Sequence, residues 1–210
     1  NGKTSTFVVP GAGGGANFPG ASMDPETQTL YIQSVTRPVG MALVEPPDGT
    51  SDWPYVIQYT RTAGPRGLPL VKPPYRRITA IDLNSGEHVW QIPFGKGPTD
   101  HPDIADLDLG PLGTGFNDVV AEGGILITKT LLISYLAAKD EIGPEETGSI
   151  LVAHDKATGE LIGEVNVALR LHGPIMSYQI QNKQYIAIAG GGRNNDAELL
   201  SFALPGTTGN

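Results

Sequence analysis

Apolar residues along this 210-residue chain fall in short runs with a period of two, separated by clusters of Gly, Pro, Asn and Asp. Such alternation puts successive side chains on opposite faces of a pleated strand, whereas an amphipathic helix needs apolar positions three and four apart. Runs of strand character occupy Thr6 to Pro10, Ala21 to Met23, Leu30 to Gln33, Trp53 to Thr62, Tyr75 to Asp82 and His88 to Pro93. Beyond a long connection over 95–117 come Asp118 to Glu122, Ile125 to Ile127, Leu131 to Ile133, Ser149 to Asp155 and Leu161 to Val167. Gly173 to Gln181, Gln184 to Ala189 and Glu198 to Ala203 complete the set, while Gly64 to Pro74 and the acidic stretch Lys139 to Thr147 read as loops. The pattern predicts an all-β chain of about twelve to fourteen strands of ordinary length, and no window is periodic enough for a helix.

Two of these runs carry one skeleton. Ala80-Ile81-Asp82-Leu83-Asn84-Ser85-Gly86-Glu87-His88-Val89-Trp90 is matched 73 residues later by Ala153-His154-Asp155-Lys156-Ala157-Thr158-Gly159-Glu160-Leu161-Ile162-Gly163. In each, a strand enters through Ala-x-Asp, turns at a Gly and re-enters a strand. The Asp can accept hydrogen bonds from turn amides, the Gly can take a positive φ, and Trp90 offers a flat surface to fill the gap between neighbouring sheets. Repeated units of short strands mark a β-propeller, whose blades cannot bury both faces alone. The strand count suffices for three or four blades. Because a plain blade takes about 40–50 residues, the wider spacing makes 95–117 an excursion on one face, and loops of that length usually serve a function.

Composition agrees with this reading. The 28 Gly and 18 Pro, with charged residues at only 17%, suit short strands joined by tight turns. No stretch approaches the roughly 18–20 apolar residues of a membrane span, so the chain is expected to be soluble. Asn1 to Thr6 lack the basic start and apolar core of a secretion signal, and any signal is expected to have been removed. The absence of cysteine excludes disulfides, thiolate metal sites and cysteine nucleophiles, and fits a periplasmic or a cytoplasmic home. A net charge of −8 argues against a nucleic-acid partner, which needs clustered Lys and Arg.

Five segments, in order along the chain, carry a family resemblance. They are Gly14 to Ala21 followed by Asp24-Pro25-Glu26-Thr27 and Leu30-Tyr31-Ile32; the hairpin Ala80 to Trp90; Asp100-His101-Pro102 leading to Gly110-Pro111-Leu112-Gly113; Glu122 to Ile127; and Asn182 to Gly192 before Ser201 to Pro205. Together they resemble the C-terminal part of a pyrroloquinoline-quinone (PQQ)-dependent dehydrogenase of the glucose and quinate dehydrogenase kind. The resemblance implies a partial propeller, three to four blades of an eight-bladed quinoprotein-type ring, with residues 1–210 as the C-terminal portion of that domain. It also implies PQQ on the ring axis beside a Ca²⁺ ion. The calcium ligands, the catalytic Asp and the stacking Trp are then expected outside this chain, leaving no catalytic or metal-binding residue within it.

What the resemblance does transfer is narrow. The Asn of the family's Gly-x-Asn-Trp segment, near the quinone carbonyls, matches Asn17, with Phe18 where Trp is usual. The approach to Gly123-Gly124 is similar to a loop that brings a residue over the quinone edge, which makes Asn117, or Phe116 beside it, a second cofactor-binding candidate. Two departures concern packing: Gly163 replaces the second Trp, and Gln28 stands where the first turn usually has Gly. Read from residues alone, Asn17 also fits a left-handed turn in a glycine-rich loop.

Other chemistry finds less support. Gly11 to Gly15 and Gly190 to Gly192 have no following helix to hold a phosphate. Asp100, Asp103, Asp106 and Asp108 supply oxygen ligands without the order of a calcium loop. His88, His101, His154 and His172 show no metal-ligand spacing, and no Gly-x-Ser-x-Gly elbow is present. The expected function is therefore part of a periplasmic oxidoreductase that oxidises a sugar, polyol or alcohol. It would pass electrons to bound quinone and then to an external acceptor, working with the remaining blades or a second chain and inactive alone. The rival is a non-enzymatic propeller that scaffolds outer-membrane protein assembly, which would have no reason to keep Gly-Gly-Ala-Asn or the Asp-His-Pro excursion.

Overall fold

The computed structural model describes residues 4–17, 20–114, 123–138, 148–192 and 195–203. Their strands are β1 (Thr6–Val8), β2 (Ala21–Asp24), β3 (Thr29–Val35), β4 (Val39–Val44), β5 (Val56–Arg61), β6 (Arg76–Asp82) and β7 (His88–Pro93). There follow β8 (Leu126–Ile127), β9 (Leu131–Ala137), β10 (Ser149–Asp155), β11 (Leu161–Val167), β12 (Leu171–Ile180), β13 (Lys183–Gly192) and β14 (Asn195–Ala203). The expected strand over Asp118 to Glu122, the acidic break at 139–147 and the candidate Asn117 lie outside the described residues.

Antiparallel pairing gathers the strands into four sheets, ordered β2-β3-β6-β7, β8-β9-β10-β11, β12-β13-β14 and β1-β4-β5. The first three are propeller blades. β8 touches both β2 and β12, so the leading strands of consecutive blades lie side by side. The fourth sheet is an insertion: β4 and β5 leave the chain between β3 and β6, and β1 pairs onto β4. Strand β4 escapes a local reading because Val39–Val44 runs on from β3 after three residues, and only its partners mark it as separate.

Each blade buries what its neighbour leaves open. Leu132 and Leu136 of β9 join Tyr31, Ile78, Phe94, Ile150 and Val152 in a core between the first two blades. Ile133 and Tyr135, the alternate residues, join Leu171, Ile175 and Ile188 in a core between the second and third. A strand covered on both faces reads as a continuous apolar run, and Leu-Leu-Ile-Ser-Tyr-Leu-Ala has that form.

The two copies of the hairpin share their register and their turn. Ala80 faces Trp90 and Ala153 faces Gly163, and in both the register slips at the next residue. Asp82 Oδ1 accepts from the Asn84 amide at 2.8 Å, as Asp155 Oδ1 does from the Ala157 amide at 2.8 Å. Gly86 and Gly159 have φ of 76° and 78°, and each donates its amide to the carbonyl of the Asp four residues before. Gln28, in the earlier turn, takes a positive φ of 54° in spite of its side chain.

The long connection is an excursion with a closed neck. Leu112, Gly113 and Thr114 donate their amides to the carbonyls of Lys96, Gly95 and Phe94 at 2.9–3.0 Å. Gly113 is required there, since a Cβ would collide with the backbone of Arg76. Between the closures the chain makes a short 3-10 turn over Ala105–Leu107.

Candidate functional site

The region of interest lies where the chain enters the leading strands of the first and second blades. Before β2, the glycine-rich loop folds on itself and is strapped to the end of β3. Val35 donates its amide to the Gly15 carbonyl at 2.7 Å, and Arg37 donates to the Pro10 carbonyl. Gly11, with φ of 151°, lies so close to the Arg37 carbonyl that no Cβ fits. Asn17 sits at the exposed end of this loop, its Nδ2 donating to the Gly13 carbonyl at 2.7 Å. Its own carbonyl accepts the Gly20 amide at 2.8 Å. The side chain is therefore held in place by its own loop.

Beyond Asn17, β2 is pinned to the second blade. Ser22 Oγ donates to the Ile125 carbonyl at 2.6 Å, directly after Gly123-Gly124. Those glycines form the junction of three blades. A Cβ at Gly123 would meet the Tyr135 carbonyl at 2.8 Å and the Gln33 amide at 3.2 Å, and one at Gly124 would meet Pro174 Cα at 2.9 Å. Only bare backbone lets the strands converge so closely.

A buried polar chain runs beneath this junction. Arg76 Nη2 donates to Gln33 Oε1 at 2.9 Å, Gln33 Nε2 to Ser134 Oγ at 2.5 Å, and Ser134 Oγ to the Gly124 carbonyl at 2.9 Å. The Arg76 guanidinium also lies 5.3 Å from the Phe94 ring centroid, within cation–π range. Tyr135 donates its hydroxyl to the Gly173 carbonyl at 2.9 Å, and burial pushes its phenol above the ordinary value, keeping it a neutral donor. Bonded groups of this kind fix the mutual position of three blades, because each would be costly to leave unpaired.

The sequence points to Asn17 and to the glycine pair but passes over Gln33, Arg76, Ser134 and Tyr135. A lone polar residue inside an otherwise apolar strand, such as Gln33 after Leu-Tyr-Ile or Ser134 after Leu-Leu-Ile, is the signal that could have found them.

The acidic residues of the excursion are drawn apart by cations. Asp100 pairs with Lys96 at 2.7 Å and Asp103 with Arg66 at 2.7 Å, and among the described residues no three acidic or histidine side chains converge as a metal site. His154 is buried in the core contact with Phe94, the rings 6.1 Å apart, and burial lowers its pKa.

Comparison with known proteins identifies the architecture. The family model for the PQQ glucose/ethanol/alcohol dehydrogenase beta-propeller domain matches residues 1–186. A probable quinate dehydrogenase (quinone) of Xanthomonas campestris pv. juglandis is 27% identical over 97% of this chain. A glycerol dehydrogenase large subunit of Gluconobacter oxydans is 28% identical over 93% of it. The chain spans 28% and 29% of the lengths of those two relatives. The crystal structure of a quinohemoprotein alcohol dehydrogenase from Comamonas testosteroni is similar in fold, with a TM-score of 0.57 and 21% identity over 90% of this chain and 24% of that one.

Proposed function

Because the chain belongs to the PQQ glucose/ethanol/alcohol dehydrogenase beta-propeller family, we propose that residues 1–210 form the C-terminal portion of the propeller of a quinoprotein dehydrogenase. The observation that carries this reading is the family match over 1–186, supported by hairpins that dock blade on blade. The whole protein oxidises a sugar, polyol or alcohol in the periplasm and delivers electrons to an external acceptor. The remaining blades, in a longer polypeptide or a second chain, hold the catalytic Asp and the Ca²⁺ ligands. This portion alone is inactive.

When bound, the quinone supplies the two-electron chemistry, and the protein supplies position and electrostatics. Asn17 fits a part in that division of labour. Its amide is oriented by the Gly13 carbonyl, and a carboxamide donates more than one hydrogen bond without titrating. Donation to a quinone oxygen would stabilise the negative charge that develops there. Asn117 is the second cofactor contact in this proposal.

The test is dye reduction by the full natural polypeptide after addition of PQQ and Ca²⁺, with quinate, glucose, glycerol and ethanol as substrates. Reduction that depends on both the quinone and one of these alcohols is expected. Bound quinone without turnover would remove the substrate class, whereas no bound quinone and no turnover would favour a scaffold.

A further inference from the structure

The inserted sheet leaves the first blade after Thr36 and returns at Tyr75, and a single side chain closes its neck. Arg77 Nη1 donates to Thr36 Oγ1 at 2.9 Å and to the Pro74 carbonyl at 3.0 Å, while the Thr36 amide donates to the Tyr75 carbonyl at 2.7 Å. Thr36 is therefore tied to the returning chain through both its backbone and its hydroxyl. Arg77 itself is held in β6, opposite Ser34 of β3, and its charged guanidinium makes stronger bonds than a neutral donor would.

Thr36 sits between the two residues that strap the glycine-rich loop. Val35 donates its amide to the Gly15 carbonyl and Arg37 donates to the Pro10 carbonyl, so the neck fixes both strap amides and, through them, the loop that ends on Asn17. Gly11 rests on the same strap, against the Arg37 carbonyl. The strand that feeds the loop, β1, pairs with β4 of the inserted sheet, so it too is carried by the neck. We propose that Arg77, acting through Thr36, is a positioning residue that holds the Asn17 carboxamide where it meets the quinone; this inference rests on the reading of Asn17 as a cofactor contact. A hydrogen bond to a quinone oxygen is made from a fixed place, and a displacement of about 1 Å is enough to lose it.

Two variants open the clasp from opposite sides. Arg77→Met removes the donor, and Thr36→Val removes the acceptor hydroxyl at nearly constant volume. Equilibrium titration of the full natural polypeptide with PQQ at fixed Ca²⁺ should show each variant weakening quinone binding by about threefold or more, though by no more than Asn17→Ala does, because an indirect residue cannot forfeit more than the contact it serves. In an Asn17→Ala background, either variant should leave the affinity unchanged within about twofold. A general loss of structure would instead lower the affinity equally in both backgrounds. In quinone-free protein, hydrogen exchange over 35–37, followed by mass spectrometry, should quicken by about fivefold or more in both variants, the change expected when a local hydrogen bond is lost. Unchanged affinity in either clasp variant beside a weakened Asn17→Ala protein, equal losses in the two backgrounds, or unchanged exchange over 35–37 would each overturn the inference and leave the Asn17 contact standing. Unchanged affinity in Asn17→Ala itself would overturn both that contact and the inference built on it.

Discussion

The Trp90 indole reaches across the gap between two blades to donate to the carbonyl of Lys156 at 3.1 Å. The Tyr31 hydroxyl donates to the same carbonyl at 3.1 Å, and the two rings lie 5.8 Å apart. Gly159, in the same turn, lies against the indole so closely that a Cβ would sit 3.1–3.2 Å from its ring atoms. The Ala-x-Asp-x-x-x-Gly-x-x-x-Trp skeleton is thus a docking device: the Trp of one copy lies on the turn of the next.

Gly159 should tolerate no side chain. Gly159→Ala meets both a φ of 78° and the Trp90 ring, and should destabilise the protein by about 2 kcal/mol. Gly163→Ala enters open space where a second Trp would stand, and should change stability by no more than about 0.5 kcal/mol. Chemical denaturation of the two variants checks the contrast; equal losses would mean that the indole does not rest on the turn.

Asp24 makes the same contact sensitive to acid. Lys156 Nζ lies 2.5 Å from its carboxylate, and this hydrogen bond, with others from Glu26 and Thr27, lowers the Asp24 pKa to about 2. The carboxylate ionises more readily in the folded state, so its stabilisation is complete above the unfolded value of about 4 and is lost as pH falls toward 2. Asp24→Asn should lower the melting temperature at pH 7, and the difference from wild type should close between about pH 4 and 2. A difference that persists at pH 2 would contradict this assignment.

Gln33 bridges Arg76 and Ser134 inside the protein. Gln33→Leu keeps the volume but removes one partner from each, and should cost about 2–3 kcal/mol in urea denaturation. A neutral outcome would show that the polar chain does not hold the blades.

Asn17→Ala in the full natural polypeptide should weaken PQQ binding by about tenfold, as expected for a hydrogen bond to a group that gains charge. Titration at fixed Ca²⁺ measures it. Unchanged affinity and turnover would reduce Asn17 to a turn residue.

Much of this architecture is legible from local chemistry. The hairpins over 76–93 and 149–167 follow from Asp82, Gly86, Asp155 and Gly159, because turn geometry is set within a few residues. At the β12–β13 hairpin, φ of 50° at Gln181 and 62° at Asn182 make these two residues the turn, one position earlier than the gap between the expected runs Gly173 to Gln181 and Gln184 to Ala189. The pairing of β3 with β6 is not legible, because it skips 40 residues and the inserted sheet between them. Nor does the run around Arg76 announce a buried cation, although its guanidinium lies 5.3 Å from the Phe94 ring centroid and bonds to Gln33. Non-local pairing and burial depend on partners far along the chain, and a local pattern carries no record of them.

Equilibrium titration of the full natural polypeptide with PQQ in the presence of Ca²⁺, followed by the absorbance of the bound quinone, tests the central claim most directly. Saturation at one quinone per polypeptide, with the bound cofactor bleached on addition of a polyol or alcohol, is the predicted result. A folded protein that takes up no quinone at any concentration would contradict it.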